Sequence, residues 1–242
     1  HISREGSKMG KGWKNPLKVA NAQKKGAVFT KFAREIQVAS KMGGPDPAMN
    51  ARLRMAIEAA RKQAVPNDTI DRAIKKGAGL LDDGSQIEEV TYEGYGPHGV
   101  GVLVECQTDN RNRTVPEMRA IFKTNGGAMG ESGSVAWMFD RVGMIEAQKP
   151  GNFDPEEEAI EAGANEVEKH DEGYTFYTDY AELEHVKSAL TARGWTLTKA
   201  EPSFKAKNPT DLTEEQLKEV HDFLNELDDH DDSHRVYATL KD

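Results

Sequence analysis

Lysine and arginine side chains recur through the first third of this 242-residue sequence at spacings that set them on the outer faces of helices, and a row of that kind can grip phosphate. Lys24, Lys25, Lys31 and Arg34 come first, Arg52, Arg54, Arg61, Lys75 and Lys76 follow, and Arg111 and Arg113 lie further on. A solvated surface accounts for any single lysine. The cluster as a whole has no evident structural need and raises the local concentration of a polyanion. Residues 1–79 hold 17 of the 32 Lys and Arg but only 6 of the 41 Asp and Glu, so the formal net charge of -9 conceals a basic end joined to an acidic remainder. Such asymmetry points to a polyanion-binding module on a body that limits indiscriminate contacts.

Other chemistries fare worse. Arg111-Asn112-Arg113-Thr114 has two readings: phosphate held near a helix start, where backbone amides point outward, or a capped turn whose arginines sit in salt bridges. Gly126 to Ser134 is rich in glycine, yet it lacks the Gly-Lys-Ser/Thr ending of a nucleotide loop and follows a helix pattern instead of a strand. Asp228-Asp229-His230-Asp231-Asp232 with His234 lacks the spacing of a calcium loop and reads as a solvated acidic run, so no metal and no cofactor are expected. The histidines flank no nucleophile in a recognisable motif, Cys106 reads as a small buried hydrophobe, and Trp13, Trp137 and Trp195 are too dispersed for a base-stacking platform. The pattern is that of a non-enzymatic protein.

The elements that must position these cations are helical. Val28, Phe29, Phe32, Ile36 and Ala39 form the apolar stripe of a helix over 28–41, with Lys31, Arg34 and Lys41 pointing away. Gly43-Gly44-Pro45-Asp46-Pro47 ends it. A second helix over 48–63 buries Met49, Leu53, Ala56, Ile57 and Ala60, leaving Arg54 and Arg61 outside with Arg52 and Lys62 at the margins. A third over 67–76 turns Ile70, Ala73 and Ile74 inward and is capped by Gly77. Residues 8–25 read as a poorly ordered basic arm, and 1–8 as an expression scar.

Beyond a linker over 80–85 the period changes. Residues 90–95 and 100–106 read as strands joined at Gly96-Pro97-His98-Gly99. Thr114-x-x-Glu117 reads as a capping box that opens a helix stopped by Gly126-Gly127, and strands follow over 134–140 and 143–147. Helix, strand, helix, strand are expected over 155–162, 174–177, 181–192 and 196–199, then an acidic amphipathic helix over 212–227 and a strand over 236–240. The fold class is α+β. No apolar run approaches the roughly 20 residues of a membrane span, and one cysteine permits no intrachain disulfide, which fits the cytoplasm best.

The residues resemble the YebC/PmpR family, whose mitochondrial relatives include the translational activator of cytochrome oxidase subunit I. Three stretches in the helical part carry the likeness: Lys25-Gly26-Ala27-Val28-Phe29-Thr30-Lys31 with Arg34-Glu35-Ile36, Asp46-Pro47 with Asn50 and Arg52-Leu53-Arg54, and Arg72-Ala73-Ile74-Lys75-Lys76-Gly77. The most specific are Tyr92-Glu93-Gly94-Tyr95-Gly96-Pro97 and Thr108-Asp109-Asn110-Arg111-Asn112-Arg113-Thr114, with Gly133-Ser134-Val135-Ala136 after them. The resemblance implies an N-terminal three-helix domain (9–80), a central α+β domain (86–141 with 208–242) and an inserted ferredoxin-like domain (142–207). It also implies a DNA-binding transcriptional regulator, with ribosomal RNA and translation as the alternative target. On this reading alanine at Lys31, Arg34, Arg54 and Arg61 weakens binding and leaves the fold intact.

Overall fold

The computed structural model describes residues 22–81 and 86–241, with the side chains of 22–25 and 27 also left out. The expected scar, most of the basic arm, Trp13 and most of the linker therefore lie outside the described residues, as do the side chains of Lys24 and Lys25. The chain forms two compact units, one of His1–Asp140 with Lys205–Asp242 and one of Arg141–Phe204.

The first unit opens with helices α1 (Ala22–Gly43), α2 (Ala51–Lys62) and α3 (Asn67–Gly77). Helix α1 begins at Ala22, so residues 22–25 of the expected arm are helical. Ile36, Ala39, Leu53, Ile57 and Ile70 are buried together as the sequence pattern requires. Asn50 joins the first two helices. Its Oδ1 accepts from Leu53 N at 3.0 Å as the N-cap of α2, while its Nδ2 donates to Ala39 O and Gly44 O at 2.8 Å each. Because the cap falls at Asn50, Met49 lies before the helix and is 83% exposed instead of buried. Gly77 is the last residue of α3 and not its cap. A Cβ there would sit 2.2 Å from Gln37 O on α1, and the positive φ of the turn falls on Gly79.

A four-stranded antiparallel sheet completes this unit. Strands β1 (Glu88–Tyr95) and β2 (Gly101–Thr108) form the expected hairpin, and the sheet order is β3-β1-β2-β8 with β3 (Ala128–Met129) and β8 (Ser233–Ala238) at the edges. Val102, Val104 and Cys106 alternate onto the face covered by α4 (Arg111–Thr124) and α7 (Glu214–Asp229), where Phe122 and Phe223 meet edge to face at 5.1 Å. Helix α4 starts three residues before the expected capping box: Asn110 is the N-cap, accepting from Arg113 N, and Thr114 lies inside the first turns. The box belongs to α7, where Thr213 and Gln216 cap each other. The expected strand over 134–140 is a 3₁₀ turn, Ala136–Met138, leading into the single long strand β4 (Phe139–Gln148).

The second unit is built from β4, α5 (Pro155–Ala162), β5 (Glu166–His170), β6 (Gly173–Asp179), α6 (Leu183–Ala192) and β7 (Thr196–Ala206). Its sheet order β5-β6-β4-β7 and its β-α-β-β-α-β connectivity are ferredoxin-like. Ile145, Phe176, Leu190 and Trp195 anchor its core. Strand β5 had no sequence signal, since Glu-Val-Glu-Lys-His offers one apolar residue. Among the described residues no helix is long and apolar enough to cross a membrane.

Glu93 fixes the glycine-rich segment. Its buried carboxylate accepts from Val135 N at 2.7 Å and Ala136 N at 3.1 Å, and these amides hold it below its ordinary pKa despite burial. Replacing Glu93 by Ala leaves two amides without an acceptor and should cost about 1–3 kcal/mol in a urea melt. An unchanged midpoint would show that the segment does not depend on this carboxylate.

Candidate nucleic-acid interface

Of the eleven expected cations, Lys24 and Lys25 have side chains outside the described residues, and the structure divides the other nine into two groups. The first faces inward, where the helical bundle meets the sheet layer of the same unit. Lys31 is 8% exposed and its Nζ donates to Asp228 O. Arg34 donates from Nη1 to Asp232 Oδ1 at 2.7 Å, Asp231 O at 2.8 Å and Gln107 O at 3.2 Å. Arg52 pairs with Glu35 at 2.8 Å and with Glu89 at 3.4 Å. Arg113 reaches Asp232 at 2.9 Å and Glu117 at 3.0 Å. Lys31 and Arg34 thus do not point into solvent, contrary to the sequence reading. The period of α1 distinguishes its packed face from the opposite one, but it cannot show that a second layer covers the polar side.

At the centre of this group is Asp232, whose side chain has no exposed surface. Besides the two arginines it accepts from Thr114 Oγ1 at 2.7 Å, and Thr114 in turn meets Thr108 Oγ1 at 2.7 Å. Burial alone would raise its pKa, but Arg113, Thr114 and Arg34 hold it below the ordinary value. The stretch from Thr108 to Thr114 is therefore a capped turn whose Arg113 serves a buried carboxylate. Glu35 is the second hub. It accepts from Gln107 Nε2 at 2.7 Å and lies 3.2 Å from His234 Nε2, and hydrogen bonds from His234 and Arg52 outweigh burial to hold it far below the carboxylate range.

Glu117, His230 and Asp232 gather closely enough to hold a metal ion, but their atoms are already engaged. His230 Nδ1 accepts from Asp232 N at 3.0 Å, its Nε2 meets Glu117 at 2.7 Å, and two guanidinium groups share Asp232. A dication there would face the charge of both arginines. Cys106 is 1% exposed and its thiol is pushed up to about 12 by burial and by Asp232, as befits a packing residue.

The second group faces water. Arg54 and Arg61 stand seven residues apart, two turns along one side of α2, and both are exposed. Arg54 touches its own loop at Pro47 O, 3.2 Å away. Lys75 is exposed in the last turn of α3, with Lys76 half-buried beside it. Arg72, which the sequence reading did not select, is exposed one turn before them, and its spacing to Lys75 was the available signal. Arg111 is exposed at the start of α4, 3.5 Å from Glu88. It borders a cleft of about 370 Å³ with Val38, Lys41, Met42 and Ile87.

A helical bundle with outward cations, set against an α+β layer, defines a protein with a basic face and no catalytic constellation among the described residues. Models of the TACO1/YebC N-terminal domain and of the TACO1/YebC second and third domains match residues 14–80 and 87–240. The chain belongs to the TACO1/YebC family. A probable transcriptional regulatory protein of Bdellovibrio bacteriovorus is 67% identical over 232 residues, covering 96% of this chain and 100% of its own length. One from Bacillus licheniformis is 44% identical, covering 94% and 97%. The crystal structure of a conserved hypothetical protein from Aquifex aeolicus superposes with a TM-score of 0.81 at 43% identity, covering 95% of this chain and 96% of that one.

Removing both guanidiniums, Arg34→Ala with Arg113→Ala, strands the Asp232 carboxylate and should cost about 3–5 kcal/mol in a denaturant melt; a loss below 1 kcal/mol contradicts the assigned role. Asp228 behaves in the opposite sense to Asp232. Burial pushes its carboxyl up to about 6 from 3.8, and its Oδ1 has no hydrogen-bond partner. Between those values the native state holds a proton that the unfolded chain releases, so this group's contribution to stability falls as pH rises from 4 to 6. Asp228→Asn should therefore gain on the natural protein between pH 4.5 and 7, as paired melts would show. A pH-independent difference would refute this.

Proposed function

We propose that this chain is a non-enzymatic, cytoplasmic regulator of transcription that binds duplex DNA through the outer faces of α2 and α3. The observation that carries the reading is the set of exposed cations Arg54, Arg61, Arg72 and Lys75 on α2 and α3, while Lys31 and Arg34 of α1 are turned inward. Phosphate contacts need reach and solvent access more than a fixed pocket, and these side chains have both. Lys24 and Lys25, at the start of α1, extend the basic sequence in the same part of the chain. The names of the bacterial relatives support a regulatory role. The separate apolar clusters of the bundle, the sheet layer and the ferredoxin-like unit support three domains, 9–80, 86–141 with 208–242, and 142–207.

Arg54, Arg61, Arg72 and Lys75 changed together to Ala should leave the melting transition in place and weaken duplex binding. If each contacts one phosphate, the slope of log affinity against log salt flattens by about 3–4 units. Binding to a 20-base-pair duplex, titrated at several salt concentrations, reads both quantities. An unchanged slope removes these side chains from the interface, and a strong preference for ribosomal RNA over the duplex replaces the transcription reading with one in translation.

A further inference from the structure

We propose that the acidic stretch from the last turn of α7 to the start of β8, residues 228–232, is a built-in substitute for a nucleic-acid backbone: it occupies Lys31, Arg34 and Arg113 and withholds them from phosphate until the helical bundle lifts away. The proposal rests on the nucleic-acid reading above and adds to it a covered second face.

The contacts resemble those a phosphodiester would make. Over five residues the turn presents carbonyl oxygens at Asp228 and Asp231 and a carboxylate at Asp232, and these meet one ammonium and two guanidinium groups from α1 and α4. Guanidinium binds carboxylate and phosphate through the same planar set of donors, so one can replace the other without new geometry. The acidic run that the sequence shows but that neither a metal nor a catalytic role explains thereby acquires a task.

The junction is also built to come apart. The apolar clusters of the bundle and of the sheet layer share no residue; among the described residues the polar side chains of the bundle that join the two are Lys31, Arg34, Glu35, Lys41 and Arg52, and the apolar Val38, Met42 and Ile87 line one cleft between them. Lys41 contributes one bond, from Nζ to Ile87 O at 2.9 Å. Ionic contacts can be exchanged for other ionic contacts, whereas a shared hydrophobic core would have to be exposed to water. Nor is the closure optimised for stability, since Asp228 Oδ1 is buried without a partner and Lys31 is buried beside it. A polyanion arriving at the exposed faces of α2 and α3 would be next to a bundle whose Lys31 and Arg34 are held by replaceable partners.

The first test is Asp232→Asn, which keeps the shape and removes the charge. If the closed form outweighs the open one tenfold, the variant should bind a 20-base-pair duplex about tenfold more tightly. Its salt slope should steepen by about 3 as Lys31, Arg34 and Arg113 each gain a phosphate. A folded variant with unchanged or weaker affinity and the same slope overturns the proposal. Should that variant not fold, the otherwise natural chain decides the matter by pulsed electron paramagnetic resonance. Spin labels at Glu58→Cys on α2 and Lys218→Cys on α7 sit at exposed positions, and buried Cys106 stays unlabelled. Saturating heparin should lengthen or broaden the distance distribution; a single unaltered distance sinks the latch. The outcomes also separate the two readings. Opening by heparin without any duplex binding keeps the latch and rejects the DNA function, while duplex binding through α2 and α3 with no opening does the reverse.

Discussion

A carboxylate cut off from water needs positive charge close by, and this fold meets that need at Asp232 with arginines from two separate elements. Arg34 comes from the helical bundle and Arg113 from the first turn of α4, and the aspartate itself precedes β8 near the end of the chain. An unpaired buried charge is costly enough that the three elements can hardly be placed independently. The direction of α1, the cap of α4 and the entry to β8 are thus set by one ionic knot. Thr114 and Thr108 extend the knot into the sheet layer by a short relay of hydroxyls. Glu35, the next residue along α1, repeats the arrangement, with Arg52, Gln107 and His234 around it.

The same logic governs the glycine-rich segment. Successive amides left pointing one way would make a good anion site, and that is why such a stretch invites a phosphate reading. Here the anion is Glu93 from the neighbouring strand. Glycine at 94 serves a different purpose, because a Cβ there would lie 2.5 Å from Ala128 O and would push β3 off the sheet. Two segments of the sequence that look like ligand sites are therefore self-satisfied, one cationic and one made of amides. In both, the partner is a carboxylate from another part of the chain.

That is also where sequence reading reaches its limit. Helices α2, α3, α5 and α7 were legible because a 3.6-residue period needs only neighbours, and the β1–β2 hairpin because Gly96 to Gly99 can hardly do anything but turn. Strand β5 was not legible, since in Glu166 to His170 charged residues hide the alternation. The outward cations of α2 and α3 could be found by spacing alone. The inward cations could not, for Lys31 and Arg34 meet partners 197 and 198 residues away, and no local pattern records that a basic face has a lid. Thr114 was misread for a related reason. A Thr three residues before a Glu satisfies the capping pattern, but Asn110 reached the helix start first and freed the threonine hydroxyl for Asp232.

The two groups of cations differ in what they ask of their surroundings. Arg54, Arg61 and Arg72 sit on helix faces where water already solvates them, so exchanging water for phosphate costs little and is governed by counterion release. Lys31 and Arg34 have lost most of that water, Arg113 keeps part of it, and all three are held by oxygen acceptors supplied by the protein. Any anion that takes them must first replace those acceptors, and whatever displaces the turn must then leave Asp232 solvated. A single basic protein surface would bind with one affinity set by its charge. A surface divided in this way can bind in two stages, the second conditional on a rearrangement, because its inward cations become available only when the bundle and the acidic turn part.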